Sequence, residues 1–317
     1  MKIGIIGCGN VGSNTLKAFY AKNLHVCGYD TSSDAQARIV AEVGLKNTAH
    51  SLKEIITCDT VFSCVPTAPM PESGACDLSI FESIVKEFAV LESDDTYACR
   101  LFVQRSTCPP GSAERFAKYF RKTAYAVNPS FLGKHTQWAD SINPSRIAFA
   151  GDLLATQLLE QIYSGFTDAP RFVTETFETV ELLKYAENIT DAVLISLWNE
   201  ILQLSDSFRL PRTEFIKLIE AFVQRPRFGT AFRVPGKAFG LECLPKDLAA
   251  LLHDSNQQGM SLNVMLGAQK TNRSVQAHSG INSLPTTELF SVVDGRVILS
   301  DTAKDFLSVM QKNGDLP

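Results

Sequence analysis

Short runs of apolar, largely β-branched residues alternate with amphipathic stretches through the first half of the chain, the pattern of a parallel sheet covered by helices. The runs predict strands at 2–7, 25–29, 60–65, 101–105, 124–127 and 146–150, each closing on turn-forming or polar residues. Ligands gather at the carboxyl ends of such strands. Beyond Pro170 the period changes. Val180, Leu183, Ile189, Val193 and Leu197 recur at helical spacing in a helix expected over 179–210 and ended by Pro211. A helix over 212–224 follows, then a Gly/Pro-punctuated loop over 225–242, and a second long helix from 245 to 278. A strand pair around Asp294-Gly295 and a short helix occupy the remainder. The expected fold is α/β: a doubly wound parallel sheet over 1–172, an all-helical domain over 173–278, and a short tail over 279–317. The helix over 179–210 carries more apolar positions than one neighbour covers, which predicts a homodimer built on the helical domain.

A chain of 317 residues, 45% of them hydrophobic, buries enough core for two domains. The formal charge of −4 comes from interspersed acids and bases. No basic stripe is left to release counterions from DNA or RNA, so nucleic acid is not expected as a partner. Glycines interrupt the first residues where a signal peptide needs an apolar run, and no stretch approaches the roughly 20 apolar residues of a spanning helix. No membrane partner is expected, and the expected location is the cytoplasm. The 8 cysteines form no C-x-x-C pair and read mostly as buried, reduced thiols. No histidine spacing resembles H-E-x-x-H, so no metal site is expected.

Gly7-Cys8-Gly9-Asn10-Val11-Gly12 follows the strand KIGII and opens a helix, the context that gives a G-x-G-x-x-G run its meaning. Gly7 permits the turn, Gly9 lets the backbone approach a pyrophosphate, Gly12 allows close helix packing, and the helix N-terminus favours the anion. These residues predict a Rossmann domain. Asp30 ends the next strand, where a carboxylate holds both ribose hydroxyls and repels a 2′-phosphate, so NAD is expected rather than NADP. Glycines that only make a tight turn, or an FAD site, are the alternatives.

Four further segments, in order, are Cys64-Val65-Pro66-Thr67, Arg105-Ser106-Thr107-Cys108-Pro109-Pro110-Gly111, Glu181 to Lys184 running on to Asn188, and Phe239-Gly240-Leu241-Glu242-Cys243-Leu244-Pro245-Lys246-Asp247. Together they resemble the UDP-glucose/GDP-mannose dehydrogenase family, whose members oxidise a nucleotide sugar's primary alcohol to a carboxylate. The resemblance covers residues 1 to about 278. Cys243 precedes Pro245 at a helix start, where the partial positive charge favours thiolate, and Lys246 and Asp247 return to its face. Lys184 and Asn188, at i and i+4, converge an amine and an amide on one oxygen. Read singly, these are a solvated helix face and a core thiol; their joint occurrence argues otherwise.

The resemblance implies that NAD takes two hydrides in turn and that Cys243 holds a thiohemiacetal, then a thioester. It implies that Lys184 and Asn188 stabilise the oxyanion, while Asp247 and Thr107, with Lys246 beside them, position water or a proton. It implies cofactor contacts at Val65, Pro66, Thr67 and Thr107 beside Gly7, Gly9, Asn10, Val11, Gly12 and Asp30. It implies substrate contacts at Ser130, Phe131, Leu132, Lys184, Asn188, Phe232, Gly240 and Arg227, the last reaching the substrate of a dimer partner. The chain departs from the pattern where Asn128-Pro129-Ser130-Phe131-Leu132-Gly133-Lys134-His135 stands in place of N-P-E-F-L-x-E-G, with Ser130 and Lys134 where the family has glutamates. His135 or Glu242 is then a substitute base. Leu241 replaces a glycine, and 279–317 is too short for the family's third domain, so the expected substrate is a nucleotide sugar or another polar alcohol. A single-hydride hydroxyacid-type dehydrogenase using Lys184, and a non-catalytic NAD-binding protein, are the competing readings.

Overall fold

The computed structural model describes residues 1–73, 75–133, 135–223, 248, 252, 256, 259–279, 290–293 and 296–299. The chain divides into two units, Met1–Ile189 and Thr190–Pro317.

The first unit is a seven-stranded sheet in the order β2-β1-β3-β4-β5-β6-β7. The strands are β1 (Lys2–Ile6), β2 (His25–Tyr29), β3 (Thr60–Ser63), β4 (Leu101–Gln104), β5 (Ala124–Val127), β6 (Ile147–Gly151) and β7 (Arg171–Thr174). The first six match the sequence expectation to within two residues. The edge strand β7 was not expected: it is short, and Phe172 and Val173 are exposed, so no buried apolar run marks it. The first five strands pair parallel, whereas β6 runs antiparallel to β5 and β7 parallel to β6. The reversal follows from the connection between β5 and β6, which holds only the six-residue helix Gln137–Ile142 and no long covering helix of the kind a parallel crossover uses. Its consequence is positional: Arg146, which precedes β6, lies at the same sheet edge as Asn128, which follows β5.

Alternation along the strands sorts side chains to two faces. Ile3, Ile5, Leu101, Val103, Ile147 and Phe149 join one core with Leu16 and Phe19 of α1 (Asn10–Ala21) and Leu158, Leu159 and Ile162 of the helix Leu153–Tyr163. Ile6, Phe102, Ala148 and Ala150 join the other with Phe81, Val85 and Phe88 of the helix Ser79–Leu91 and Phe116 of the helix Ser112–Ala117. Each fully buried aromatic contributes about 1.5–3 kcal/mol.

In the second unit, Leu204, Leu252, Leu262 and Met265 form a small core, and Trp198 lies edge-on to Phe215 and Phe222. Helices Phe177–Ser207 and Arg212–Val223 match expectation. The helix expected over 245–278 is not continuous. Residues 248, 252 and 256 are helical, but Gly259 adopts φ +71 with its N–H on Asn256 O, and a new helix, Asn263–Ser279, starts only after Leu262. A glycine in left-handed geometry ends a helix. Glu200 accepts the N–H groups of Val264 and Met265 at 2.6 and 3.2 Å, satisfying donors that the new helix leaves open. Strands Phe290–Val293 and Arg296–Leu299 pair antiparallel across 294–295, as expected. No helix among the described residues is long and apolar enough to cross a membrane, and no group of three or more His, Cys, Asp or Glu among them could hold a metal ion.

Candidate functional site

The glycine run is shaped by contacts that forbid side chains. Gly7 has φ +82, and a Cβ there would press on Val65 N at 2.9 Å; a Cβ on Gly12 would fall 1.9 Å from the Gly7 carbonyl oxygen. Gly9 is the opposite case, with nothing within 4 Å of its Cβ position. It caps α1 without a side-chain hydrogen bond, so the first helical N–H groups remain available to an anion. This is a cradle that a side chain would fill, and it fits a dinucleotide pyrophosphate.

Gly7, Gly9, Asn10, Val11, Asp30, Val65, Pro66, Thr67 and Thr107 all line one cleft of about 920 Å³ at the carboxyl edge of β1 to β4, with Ser130 at its β5 end. Gly12 packs beneath it against Gly7. Asp30 stands on the rim, its carboxylate accepting the N–H groups of Cys8 at 2.7 Å and Ser32 at 2.8 Å. The carboxylate thus holds the glycine turn as well as facing the cleft. Thr67 donates to Thr107 O at 2.7 Å and Ser106 to Val65 O at 2.7 Å, stapling the loops after β3 and β4 to each other. The thiols nearest the cleft are inert: burial pushes Cys8 far up and Cys64 up to about 12, the latter against the pull of Arg105.

Beyond the Ser130 end of the cleft, Phe131 and Leu132 line a small second cavity. Lys184 lies 5.3 Å from the Phe131 ring centre and Arg146 4.1 Å from it. Arg146 also pairs with Glu187, three residues after Lys184. Lys184 is half-buried and Asn188 exposed on the same helix. His135 is exposed in a turn. The remaining site residues, Cys243, Lys246, Asp247, Arg227, Phe232 and Gly240, and with them Lys134 and Glu242, lie outside the described residues.

Sequence reasoning missed three supports. Arg105 is 9% exposed and donates to Thr15 Oγ1, to the Asn128 carbonyl and Oδ1, and to the Tyr163 hydroxyl, all neutral partners. Arg146 was read as a strand start, and only the reversal of β6 brings it to the site. Glu181 accepts Gln104 Nε2, Gly111 N and Ala113 N at 2.8–3.0 Å, anchoring the helix of Lys184 onto β4 and the loop after it. Burial raises the Glu181 carboxyl against these bonds. An acid at helix position i and a lysine at i+3 gives no sequence hint that one is buried.

Comparison with known proteins agrees with this geometry. The model of the UDP-glucose/GDP-mannose dehydrogenase family, NAD binding domain, matches residues 32–167, and that of the same family's central domain matches 178–274. GDP-mannose 6-dehydrogenase of Pseudomonas aeruginosa is 27% identical, over 89% of this chain and 70% of its own length. A UDP-glucose 6-dehydrogenase of Rickettsia bellii is 32% identical over 65% of this chain and 47% of its own length. The chain therefore spans between about half and 70% of the length of these curated relatives. A crystal structure of a ternary complex of GDP-mannose dehydrogenase from Pseudomonas aeruginosa shares the fold, with TM-score 0.77 at 23% identity over 89% of this chain and 72% of that one. The chain belongs to the UDP-glucose/GDP-mannose dehydrogenase family, with matches to its NAD-binding and central domains.

Proposed function

We propose that this protein is a cytoplasmic, homodimeric dehydrogenase that oxidises the primary alcohol of a nucleotide sugar, or of a related polar compound, through an adduct on Cys243. The observation that carries the reading is the single cleft running from Asp30 past the Gly9 cradle to Thr107 and Ser130, ending beside Phe131 and Lys184. NAD, when bound, supplies the hydride acceptor. Asp30 favours the unphosphorylated ribose, and the Thr67–Thr107 staple holds the far end of the cleft in shape. Lys184, steadied over Phe131, and Asn188 one turn on donate to the oxygen that gains charge when the Cys243 sulfur adds to an aldehyde. Asp247 and Thr107, with Lys246, orient water for the final hydrolysis. Arg227, Phe232 and Gly240 are proposed substrate contacts, Arg227 in the neighbouring subunit's site.

The test counts NADH formed per molecule of UDP-glucose or GDP-mannose consumed, in wild type and Cys243→Ser. Two per substrate in the wild type, and none or one in the variant, support the thioester route. One per substrate in both, with loss on Lys184→Ala, supports instead a single-hydride dehydrogenase with Lys184 as acid/base. That second reading is favoured by one observation, Ser130 where a carboxylate would serve hydrolysis.

A further inference from the structure

Ser130 raises a chemical question, because a hydroxyl does not serve as a base at neutral pH, yet thioester hydrolysis needs a proton acceptor. The small cavity behind it supplies one. This cavity, of about 30 Å³, is lined by Ser130, Arg105, Asp140, Ser141 and Arg146. That is room for at least one water, which needs 10–15 Å³ and two or more polar partners. One waiting partner is evident: Ser141 is 8% exposed, and its buried hydroxyl has no hydrogen-bond partner among the described residues. Ser130 is equally buried and faces both this cavity and the cofactor cleft.

Asp140 is built into the cavity wall by its own loop. Its Oδ2 accepts both the Gly133 N–H, at 2.8 Å, and the Thr136 hydroxyl, while Oδ1 accepts nothing from the described residues. The loop closes this way because residue 133 is glycine: a Cβ there would meet Thr136 Oγ1 at 2.4 Å. Arg105 adds a fixed positive charge whose partners are neutral, which favours negative charge developing on an oxygen in this space. Arg146, the other cation of the wall, is already paired with Glu187.

We propose that Asp140 replaces the missing loop carboxylate as the terminal proton acceptor for thioester hydrolysis, reached from Ser130 through a water held in this cavity by Ser141. The inference rests on the Cys243 thioester reading. In the step, a water oxygen bonds to the thioester carbonyl carbon and the carbon–sulfur bond breaks, its electron pair leaving with the Cys243 thiolate. The attacking water's proton passes to the Ser130 oxygen, the Ser130 proton to the cavity water, and that water's proton to Asp140. No electrons change hands. Asp140 acts through other groups and is a positioning residue for the attacking water, not a contact of the substrate.

The experiment isolates this step by acylating Cys243 of the full-length protein with 4-nitrophenyl acetate and following loss of the acetyl group by intact-protein mass spectrometry, with Cys243→Ser as the labelling control. Calorimetric NAD binding checks that each variant is folded. Asp140→Asn, which keeps the two loop hydrogen bonds, is expected to slow acetyl loss about 100-fold, the lower end of what general-base help is worth. Ser130→Glu, placed in the Asp140→Asn background, is expected to restore it, a rescue that a purely structural role for Asp140 does not give. Equal rates of acetyl loss in wild type and Asp140→Asn, or no rescue by Ser130→Glu, overturn the relay alone. Failure of Cys243 to take the acetyl group overturns the thioester reading and the relay with it.

Discussion

At the scale of single residues, the glycine turn separates two effects that a sequence motif runs together. Gly12→Ala places a methyl against the Gly7 carbonyl and is expected to cost at least the about 1–3 kcal/mol typical of overpacking, read as a lower Tm. Gly9→Ala meets nothing in the fold, so its Tm is expected to hold while NAD affinity falls about tenfold or more, or about 1.4 kcal/mol. An unchanged affinity by calorimetry would remove Gly9 from the phosphate cradle. Asp30→Ala is expected to narrow a preference for NAD over NADP of roughly 1–3 kcal/mol. These residues were legible from the order strand, glycines, helix, next strand, a pattern the sequence displays by itself. Arg105 was not, because its partners Thr15, Asn128 and Tyr163 lie far away in sequence, and Asp140 was not, because its bonds to Gly133 and Thr136 in its own loop follow no recognisable motif. Glu92 belongs with them. Burial pushes its carboxyl up, but hydrogen bonds from Arg121 N, the Thr123 side chain, Lys122 N and Thr123 N outweigh this and hold it below the usual range. A depressed folded pKa stabilises above the unfolded value of about 4.3 and is lost as pH falls through the folded one. Wild type is thus expected to lose Tm below about pH 4.3 more steeply than Glu92→Gln, and parallel curves would refute the assignment.

Among the elements, the helix Phe177–Ser207 was legible from its period, but not what fixes its start. Glu181 does so from inside the helix, and Glu181→Ala leaves buried donors at Gly111, Ala113 and Gln104 without an acceptor. A loss of about 1–3 kcal/mol or more is expected, measured by urea unfolding. Because the helix also carries Lys184, the variant is expected to lower kcat in proportion more than it weakens NAD binding. The misread helix over 245–278 has a related cause. Periodicity runs through Gly259, and only the capping of Val264 and Met265 by Glu200, distant in sequence, restarts the helix. The reversed β6 likewise depends on how little helix its connection offers, a property invisible in the strand's own residues.

Across the whole molecule, Leu182, Ile189 and Val193 are 55, 57 and 49% exposed along the long helix, an apolar stripe that fits burial against a second copy of the chain. A dimer is expected by light scattering at micromolar concentration, and a fully active monomer would contradict it. Six of the sheet's seven strands and its two-sided core were readable, since alternation and length suffice to place helices on both faces, whereas the exposed edge strand β7 was not. Seven cysteines of the first unit, all free, are set in or beside that core, where five of them, Cys8, Cys58, Cys64, Cys99 and Cys108, are held protonated chiefly by burial or by a neighbouring thiol. While folded, these five thiols are therefore expected to resist air oxidation. Once heated past its transition, the same chain exposes thiols whose ordinary acidity returns, and they are expected to pair at random before the sheet reassembles. Its survival in a heating scan becomes a question of rate, with recovery on cooling expected in the presence of a reductant and cross-linked precipitate expected without one.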